Sequence, residues 1–99
     1  MRPEPFAILS YCDVRLGAPA LGVRAMEKAV ARDPHNWEYA YGLALVRASA
    51  GLDPGAAARR ALALNPREGM VREMLARFGE TEDPREWRKR ALAMRLPVD

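Results

Sequence analysis

The sequence predicts an all-α protein, a solenoid of three stacked helical hairpins. Three observations predict this fold class. The apolar residues are mostly Ala and Leu, which favour helices over strands; they recur at helical spacing; and Gly, Asp-Pro and Asn-Pro steps separate the periodic segments. Because 99 residues can bury only one modest core, we expect one domain, 1–99, with hairpins at 3–34, 37–66 and 67–97.

The first hairpin is predicted to consist of helices at about 5–16 and 20–32. Gly17 can adopt the left-handed conformation that ends the first of these helices. Asp33 precedes Pro34 and ends the second, because the residue before a proline is driven out of the helical region. The second helix has an apolar stripe that is expected to be buried: Leu21, Ala25, Met26, Ala29 and Val30.

The third predicted helix, 37–50, has the clearest sequence signals in the chain. Asn36 is a favourable N-cap for it, and Gly51 supplies its stop. Apolar residues lie on two of its faces, one with Trp37 and the other with Tyr41. Such a helix is usually enclosed by neighbours on both sides, so we expect this helix to lie between others.

Three further helices are predicted at about 54–64, 67–78 and 84–95. An Asp or Asn followed by Pro precedes each one, and this pair supplies a capping side chain and a first residue that has no N–H to satisfy. Glu68 and Glu86 follow Asn65 and Asp83 by three residues, as in a capping box. The last helix is expected to bury four residues and to leave its basic ones in water; the four are Trp87, Ala91, Leu92 and Met94.

The chain also contains an internal repeat. DPGAAARRALAL at 53–64 aligns without gaps with DPREWRKRALAM at 83–94, and GVRAMEKAVARDP at 22–34 is a weaker third copy. Repetition at about 30 residues is typical of solenoids, in which each hairpin buries its apolar face against the next. The alternative is two unrelated Ala-rich helices that have similar caps.

These residues resemble the tetratricopeptide repeat family over nearly the whole chain. The matching positions are Phe6, Leu9, Gly17, Ala29 and Pro34, then Leu43, Ala44, Gly51, Ala61 and Pro66, then Leu75, Ala76 and Ala91. The middle hairpin departs from the pattern because its second helix is two residues shorter than that of the first hairpin, and the turn of the third hairpin is altered. The resemblance implies a right-handed α–α superhelix and a non-catalytic protein–protein interaction scaffold.

The same resemblance implies that a peptide or partner domain binds in a concave groove lined by the first helices. The implied groove residues are Glu4, Tyr11, Arg15, Glu38, Tyr41, Leu45, Glu73 and Arg77. Under this interpretation Tyr41→Ala weakens partner binding without much change in melting temperature. The Asn residues with which some family members clamp a C-terminal carboxylate are replaced by Ile8, Gly42 and Met74, which disfavours chaperone-tail binding. An ordinary mixed surface is the alternative.

A second resemblance concerns the segments SYCDVRLG and DPHNWEYAYGLALVRASAGLDP…ALALNP. They are similar to the soluble C-terminal repeat tails of certain actinobacterial O-antigen ligase or polymerase-like membrane proteins. This resemblance implies a regulatory or assembly tail. We expect a cytoplasmic protein, or the soluble tail of a membrane protein, since no segment has the roughly 18 apolar residues of a membrane span.

Catalytic, metal and cofactor sites are not expected. Cys12 and His35 are the only residues of their types and do not make a metal site, and no Gly-rich phosphate loop is present. Cys12 is interpreted as a small buried side chain, because an unpaired Cys gives no evidence of a disulfide. The sequence therefore predicts a protein without enzyme activity.

The last helix suggests two further interactions. Its basic residues beside Trp87 form a patch for nucleic acid or anionic lipid; they are Arg85, Arg88, Lys89, Arg90 and Arg95. Trp87 lies on the apolar stripe, which favours core packing over base stacking and disfavours nucleic acid. A homodimer through the C-terminal helix, with Met94, Leu96 and Val98 exposed, is the other interpretation. The net charge of +3 and the abundance of Arg also fit a merely solvated surface.

Overall fold

The computed structural model describes residues 19–93, and this part of the chain is all-helical, with five helices and no strand. The helices are α1 (Pro19–Arg32), α2 (Trp37–Ser49), α3 (Gly55–Leu64), α4 (Gly69–Gly79) and α5 (Pro84–Ala93). Each begins within two residues of a predicted helix, so the all-α prediction is confirmed. The predicted helix at 5–16 lies outside the described residues.

At three helix starts, a side chain that the sequence predicts as a cap accepts a backbone hydrogen bond. The Asn36 side chain accepts a hydrogen bond from the Glu38 N–H at 3.0 Å. Asp53 Oδ1 accepts from the Gly55 N–H at 2.8 Å, and Asp83 Oδ1 accepts from the Arg85 N–H at 2.9 Å. Each contact satisfies one of the backbone donors left over in a first helical turn. The two Asp-Pro steps therefore make the same side-chain contact, although the N-cap residue of α3 is Pro54, whereas α5 begins at Pro84.

The start of α4 differs from the prediction. Glu68, not Asn65, is its N-cap, and the Glu68 carboxylate accepts from the Met70 N–H at 3.3 Å. The prediction of Asn65 as this cap is wrong, because Asn65 ends α3 and its carbonyl accepts from the Glu68 N–H at 3.2 Å. The chain thus makes a turn between α3 and α4 before the next helix begins.

The capping box predicted at Asp83 forms only in part. The backbone N–H of Asp83 donates to the Thr81 hydroxyl at 3.1 Å, so this N–H is not available to the Glu86 carboxylate. The Glu86 carboxylate instead lies 3.7 Å from Arg90 Nε, one helical turn later. A hydroxyl in the preceding loop thus replaces the reciprocal carboxylate.

Gly51 ends α2 in the left-handed region, with φ +75°. Its N–H donates to the Ala48 carbonyl at 3.0 Å, and the Leu52 N–H donates to the Arg47 carbonyl at 2.8 Å. This pair of bonds is the Schellman motif, which satisfies the last carbonyls of a helix and favours glycine at the left-handed position. The predicted stop at Gly51 is confirmed.

Replacing Gly51 by Ala is expected to lower the free energy of unfolding by about 1–2 kcal/mol, because a Cβ is strained in the left-handed region. Gly79→Ala is the matched control: Gly79 ends α4 without a positive φ, and its Cβ would meet no atom within 4 Å. Urea unfolding should therefore show Gly79→Ala unchanged or slightly more stable. Equal losses in the two variants would contradict this assignment.

Helix α2 lies at the centre of the described structure and packs on α1, α3 and α5. Towards α1 it contributes Tyr39 and Val46 to one buried cluster, with Val23, Met26 and Ala29. Its opposite side joins α3, α4 and α5 in a larger cluster, where α2 and α3 both contribute small residues: Ala40, Ala44 and Ala48 from α2, and Ala57, Ala58 and Ala61 from α3. Small side chains allow close helix packing. The prediction that this helix has neighbours on two sides is confirmed.

The last hairpin packs mainly on the middle one. Helix α4 contacts α3, and α5 contacts α2, whereas α4 and α5 touch each other only lightly. Each hairpin of the described chain thus meets the next one, but the six-helix solenoid remains a prediction.

Two leucines that were expected to be buried are exposed. Leu21 is 53% exposed and Leu92 is 60% exposed, so their assignment to the core is wrong. Leu21 precedes Arg24 and Lys28 by three and seven residues, which places it on the outer face of α1. Leu92 follows Arg85 by seven residues and lies on the outer face of α5 for the same reason.

Candidate functional site

The predicted groove residues separate into core and surface positions. Tyr41 and Leu45 are each 2% exposed and belong to the core cluster, so their side chains offer no surface to a partner. Glu38 is half-buried, and Glu73 and Arg77 are exposed. The remaining predicted groove residues, Glu4, Tyr11 and Arg15, lie outside the described part of the chain.

Tyr41 has an unusual electrostatic environment. Burial, and after it the negative charges of Glu73 and Glu68, raise the pKa of Tyr41 from its ordinary 10.0 to about 12. Its ring meets the ring of Trp37 edge-on, with 6.2 Å between the centroids. The phenol is therefore neutral at physiological pH, and its described contacts are those of a packed core residue.

The predicted groove residues that reach the surface carry charges of both signs. Arg77 Nη2 lies 3.0 Å from Glu73 Oε1, one helical turn away on α4. Both side chains are more than half exposed, so this ion pair contributes little to stability. Glu38 and Trp37 of α2 are half-buried, and these four residues of α2 and α4 are together called here the α2–α4 surface.

Helix α5 presents three of the predicted basic residues to solvent, namely Arg85, Arg88 and Lys89. Arg90, which was predicted to join them, is half-buried and bonds within the chain. Its Nη1 donates to the Arg77 carbonyl at 2.6 Å and to Glu80 Oε2 at 2.9 Å. The guanidinium therefore closes the C-terminal end of α4, where the last carbonyls lack helical partners. Arg95 lies outside the described residues.

Trp87 also bonds to the C-terminal end of α4 and to the loop that follows it. Its Nε1–H donates to the Thr81 carbonyl at 3.0 Å and to the Phe78 carbonyl at 3.3 Å. The indole is half-buried and packs against the core cluster. This arrangement confirms core packing of Trp87, as its place on the apolar stripe predicts.

A cleft of about 240 Å³ opens between the start of α3, the end of α4 and the beginning of α5; we call it the α3–α5 cleft. Its apolar lining comes from Pro54, Ala58, Leu75, Phe78 and Trp87. Its polar and charged lining comes from Asp53, Arg59, Thr81 and Glu82. The cleft thus combines an aromatic floor with a rim of both charges.

Sequence reasoning missed this cleft, because its walls come from segments that are far apart in the chain. The repeated Asp-Pro steps before α3 and α5 are the one sequence signal that points to the cleft. A Cβ on Gly51, just before the first of these starts, would lie 3.7 Å from Cβ of Pro84, in the second. The two similar segments therefore begin close together, and the cleft lies beside them.

Neither a metal-binding cluster nor a membrane-spanning helix is found among residues 19–93. No group of three or more His, Cys, Asp and Glu side chains there is arranged to hold a metal ion. In the same part of the chain, no helix is both long and apolar enough to cross a membrane.

Comparison with known proteins gives no family for the chain. Both family resemblances described above therefore remain predictions. No family model, no curated protein and no solved structure matches this sequence.

Proposed function

We propose that this chain is a non-catalytic protein-interaction module that binds a short segment of a partner protein. In this proposal, one apolar side chain of the segment occupies the α3–α5 cleft. The observation that carries the proposal is the composition of this cleft, in which Phe78 and Trp87 lie below a rim that includes Arg59 and Glu82.

The size of the cleft favours a single side chain over a free small molecule. Sites for drug-sized ligands usually measure about 300–1,000 Å³, and this cleft measures about 240 Å³. In protein interfaces, a few anchors in well-packed pockets supply most of the binding energy, surrounded by contacts that exclude water. An aromatic-floored cleft of this volume fits one such anchor.

The rim is suited to orienting the segment that carries the anchor. A Cβ on Gly55 would lie 3.0 Å from both Arg59 Nη1 and Asp53 Oδ1. Because Gly55 has no side chain, this edge of the cleft stays open, with a cation and a carboxylate beside it. Charges of both signs give register and specificity more than affinity.

Peptide selection tests the proposal. We expect a random peptide library, panned on the immobilised protein, to yield peptides with a bulky apolar anchor. The chain has two Trp residues, whose indole N–H signals are distinct in a proton–nitrogen NMR spectrum. A selected peptide should shift the Trp87 signal and leave the Trp37 signal in place. The reverse pattern would move the site to the α2–α4 surface, and a library without enriched peptides would reject the proposal.

A charge reversal on the rim gives the quantitative control. Arg59→Glu is expected to weaken binding of the selected peptide about tenfold, the size of effect typical of a lost polar rim contact. Arg72→Glu makes the same change at an exposed residue of α4 that does not line the cleft. Fluorescence anisotropy of the labelled peptide measures both variants. Equal weakening would show that general charge, and not the cleft, determines affinity.

A further inference from the structure

The outer face of α5 carries three cations around one exposed leucine. Arg85, Arg88, Lys89 and Leu92 are spaced at i, i+3, i+4 and i+7, which places them on a single stripe of the helix. All four are exposed, and Leu92 is the most exposed large apolar residue of the described chain, at 60%. We call this stripe the α5 face.

The charge of this face is not neutralised by the described part of the chain. Glu86, the one acidic residue of α5, lies 3.7 Å from Arg90 and so pairs on another side of the helix. Glu80 also pairs with Arg90. No carboxylate among residues 19–93 lies within ion-pair distance of Arg85, Arg88 or Lys89. The exposed leucine therefore shares its stripe with three cations that form no ion pair within residues 19–93.

We infer that the α5 face docks on an anionic lipid surface. In this arrangement the three cations lie at the level of the acidic headgroups, and Leu92 inserts among the upper parts of the acyl chains. Peripheral helices bind membranes through buried apolar area together with the attraction of Lys and Arg to anionic lipids, and the α5 face offers one leucine and three cations on the same exposed stripe. None of the four residues lines the α3–α5 cleft, so the inference is independent of the proposed function.

Two other anionic partners fit the face less well. Single-stranded nucleic acid is usually bound by cations together with aromatic side chains that stack on bases, but the aromatic residue of α5, Trp87, is held in the core by its packing and by two backbone carbonyls. A folded acidic protein requires shape complementarity, and the α5 face is the convex side of one helix. A fluid bilayer adapts to a convex helix, and it offers Leu92 an apolar environment.

Vesicle sedimentation tests the inference. The protein is mixed at low ionic strength with vesicles of phosphatidylcholine alone, or of phosphatidylcholine and phosphatidylglycerol in equal parts. We expect binding only to the anionic vesicles. Each basic residue near an anionic surface contributes about 1 kcal/mol, roughly a fivefold change in partitioning. The triple variant Arg85→Gln, Arg88→Gln, Lys89→Gln should therefore lose at least tenfold in bound fraction.

The matched control changes the same net charge elsewhere. Arg24→Gln, Arg67→Gln, Arg72→Gln removes three exposed cations from other parts of the described surface and should retain most of the binding. Leu92→Ser leaves the charge unchanged and should weaken binding at least about tenfold, as expected when a leucine side chain no longer leaves water. Circular dichroism checks that each variant keeps its helices.

Several outcomes would overturn the inference. Equal losses in the two triple variants would assign binding to net charge alone. Unchanged binding of Leu92→Ser would exclude insertion of this face into the bilayer. Retention of an oligonucleotide or of polyglutamate by the wild-type protein, lost in the α5 triple variant and unaccompanied by vesicle binding, would assign the face to nucleic acid or to an acidic protein segment.

Discussion

Replacing Tyr41 by Ala is expected to lower the free energy of unfolding by about 3–5 kcal/mol, the usual cost of truncating a buried aromatic side chain. Tyr41 is 2% exposed and lies in the cluster that joins α2 to α3, α4 and α5. Its loss leaves a cavity beside Trp37. The family resemblance implied the opposite result, a groove residue whose removal spares the melting temperature, and the burial of Tyr41 overturns that expectation.

The size of this effect is large for a small domain, because total stability is only about 5–15 kcal/mol. Urea unfolding followed by circular dichroism measures it. Tyr41→Phe is the matched control: it retains the ring and removes only the hydroxyl, at a cost of about 1 kcal/mol. If the Ala and Phe variants were equally destabilised, the hydroxyl and not the packed ring would be the important group.

Stability is also expected to fall at alkaline pH through the same side chain. The pKa of Tyr41 is raised from 10.0 to about 12 in the folded protein. Below pH 10 the phenol is protonated in both states, so stability does not depend on its titration. Between pH 10 and 12 the unfolded chain releases this proton while the folded chain retains it, and stability decreases as the pH rises. Since one pKa unit corresponds to about 1.4 kcal/mol, the full loss is about 2–3 kcal/mol.

Tyr41→Phe isolates this contribution, because Tyr11 and Tyr39 remain in both proteins. Measured by urea unfolding at pH 9 and pH 11, the wild-type protein should lose about 1.4 kcal/mol more than the Phe variant. Absorbance at 295 nm gives the titration directly. Parallel pH dependences of the two proteins would show that Tyr41 ionises with an ordinary pKa in the folded state.

The positions of the helices could be predicted from sequence because their signals are local. A cap such as Asp83 or Asn36 bonds to a donor two residues away, and Gly51 needs only its own φ to end α2. These signals act within one turn of chain and do not depend on distant packing. Where two local partners competed, as Thr81 and Glu86 did for the Asp83 N–H, the prediction was wrong.

The candidate sites could not be predicted in the same way. Sequence periodicity shows which residues share a face of a helix, but it does not show which other helix packs on that face. Tyr41 and Glu73 each lie on the first helix of a predicted hairpin, but Tyr41 is buried and Glu73 is exposed. Arg90 belongs to a run of cations, yet a carbonyl 13 residues earlier holds its guanidinium. Leu92 lies in the repeated Ala-Leu-Ala frame, as Leu62 does, and only Leu62 packs against the core. Each difference arises from a contact between distant elements.

The packing of α5 against α2 has a consequence for how such a chain can change in evolution. In a modular array, each unit supports its own interior and can be duplicated or deleted with little effect on the others. Here the two helices of the last hairpin bury little surface against each other, since α4 packs on α3 and α5 packs on α2. Deleting residues 67–93 would remove α5 from the central helix and α4 from α3, and with them the α4 and α5 members of the larger buried cluster. Although its sequence repeats, the last hairpin of the described chain depends on the middle one for most of its packing.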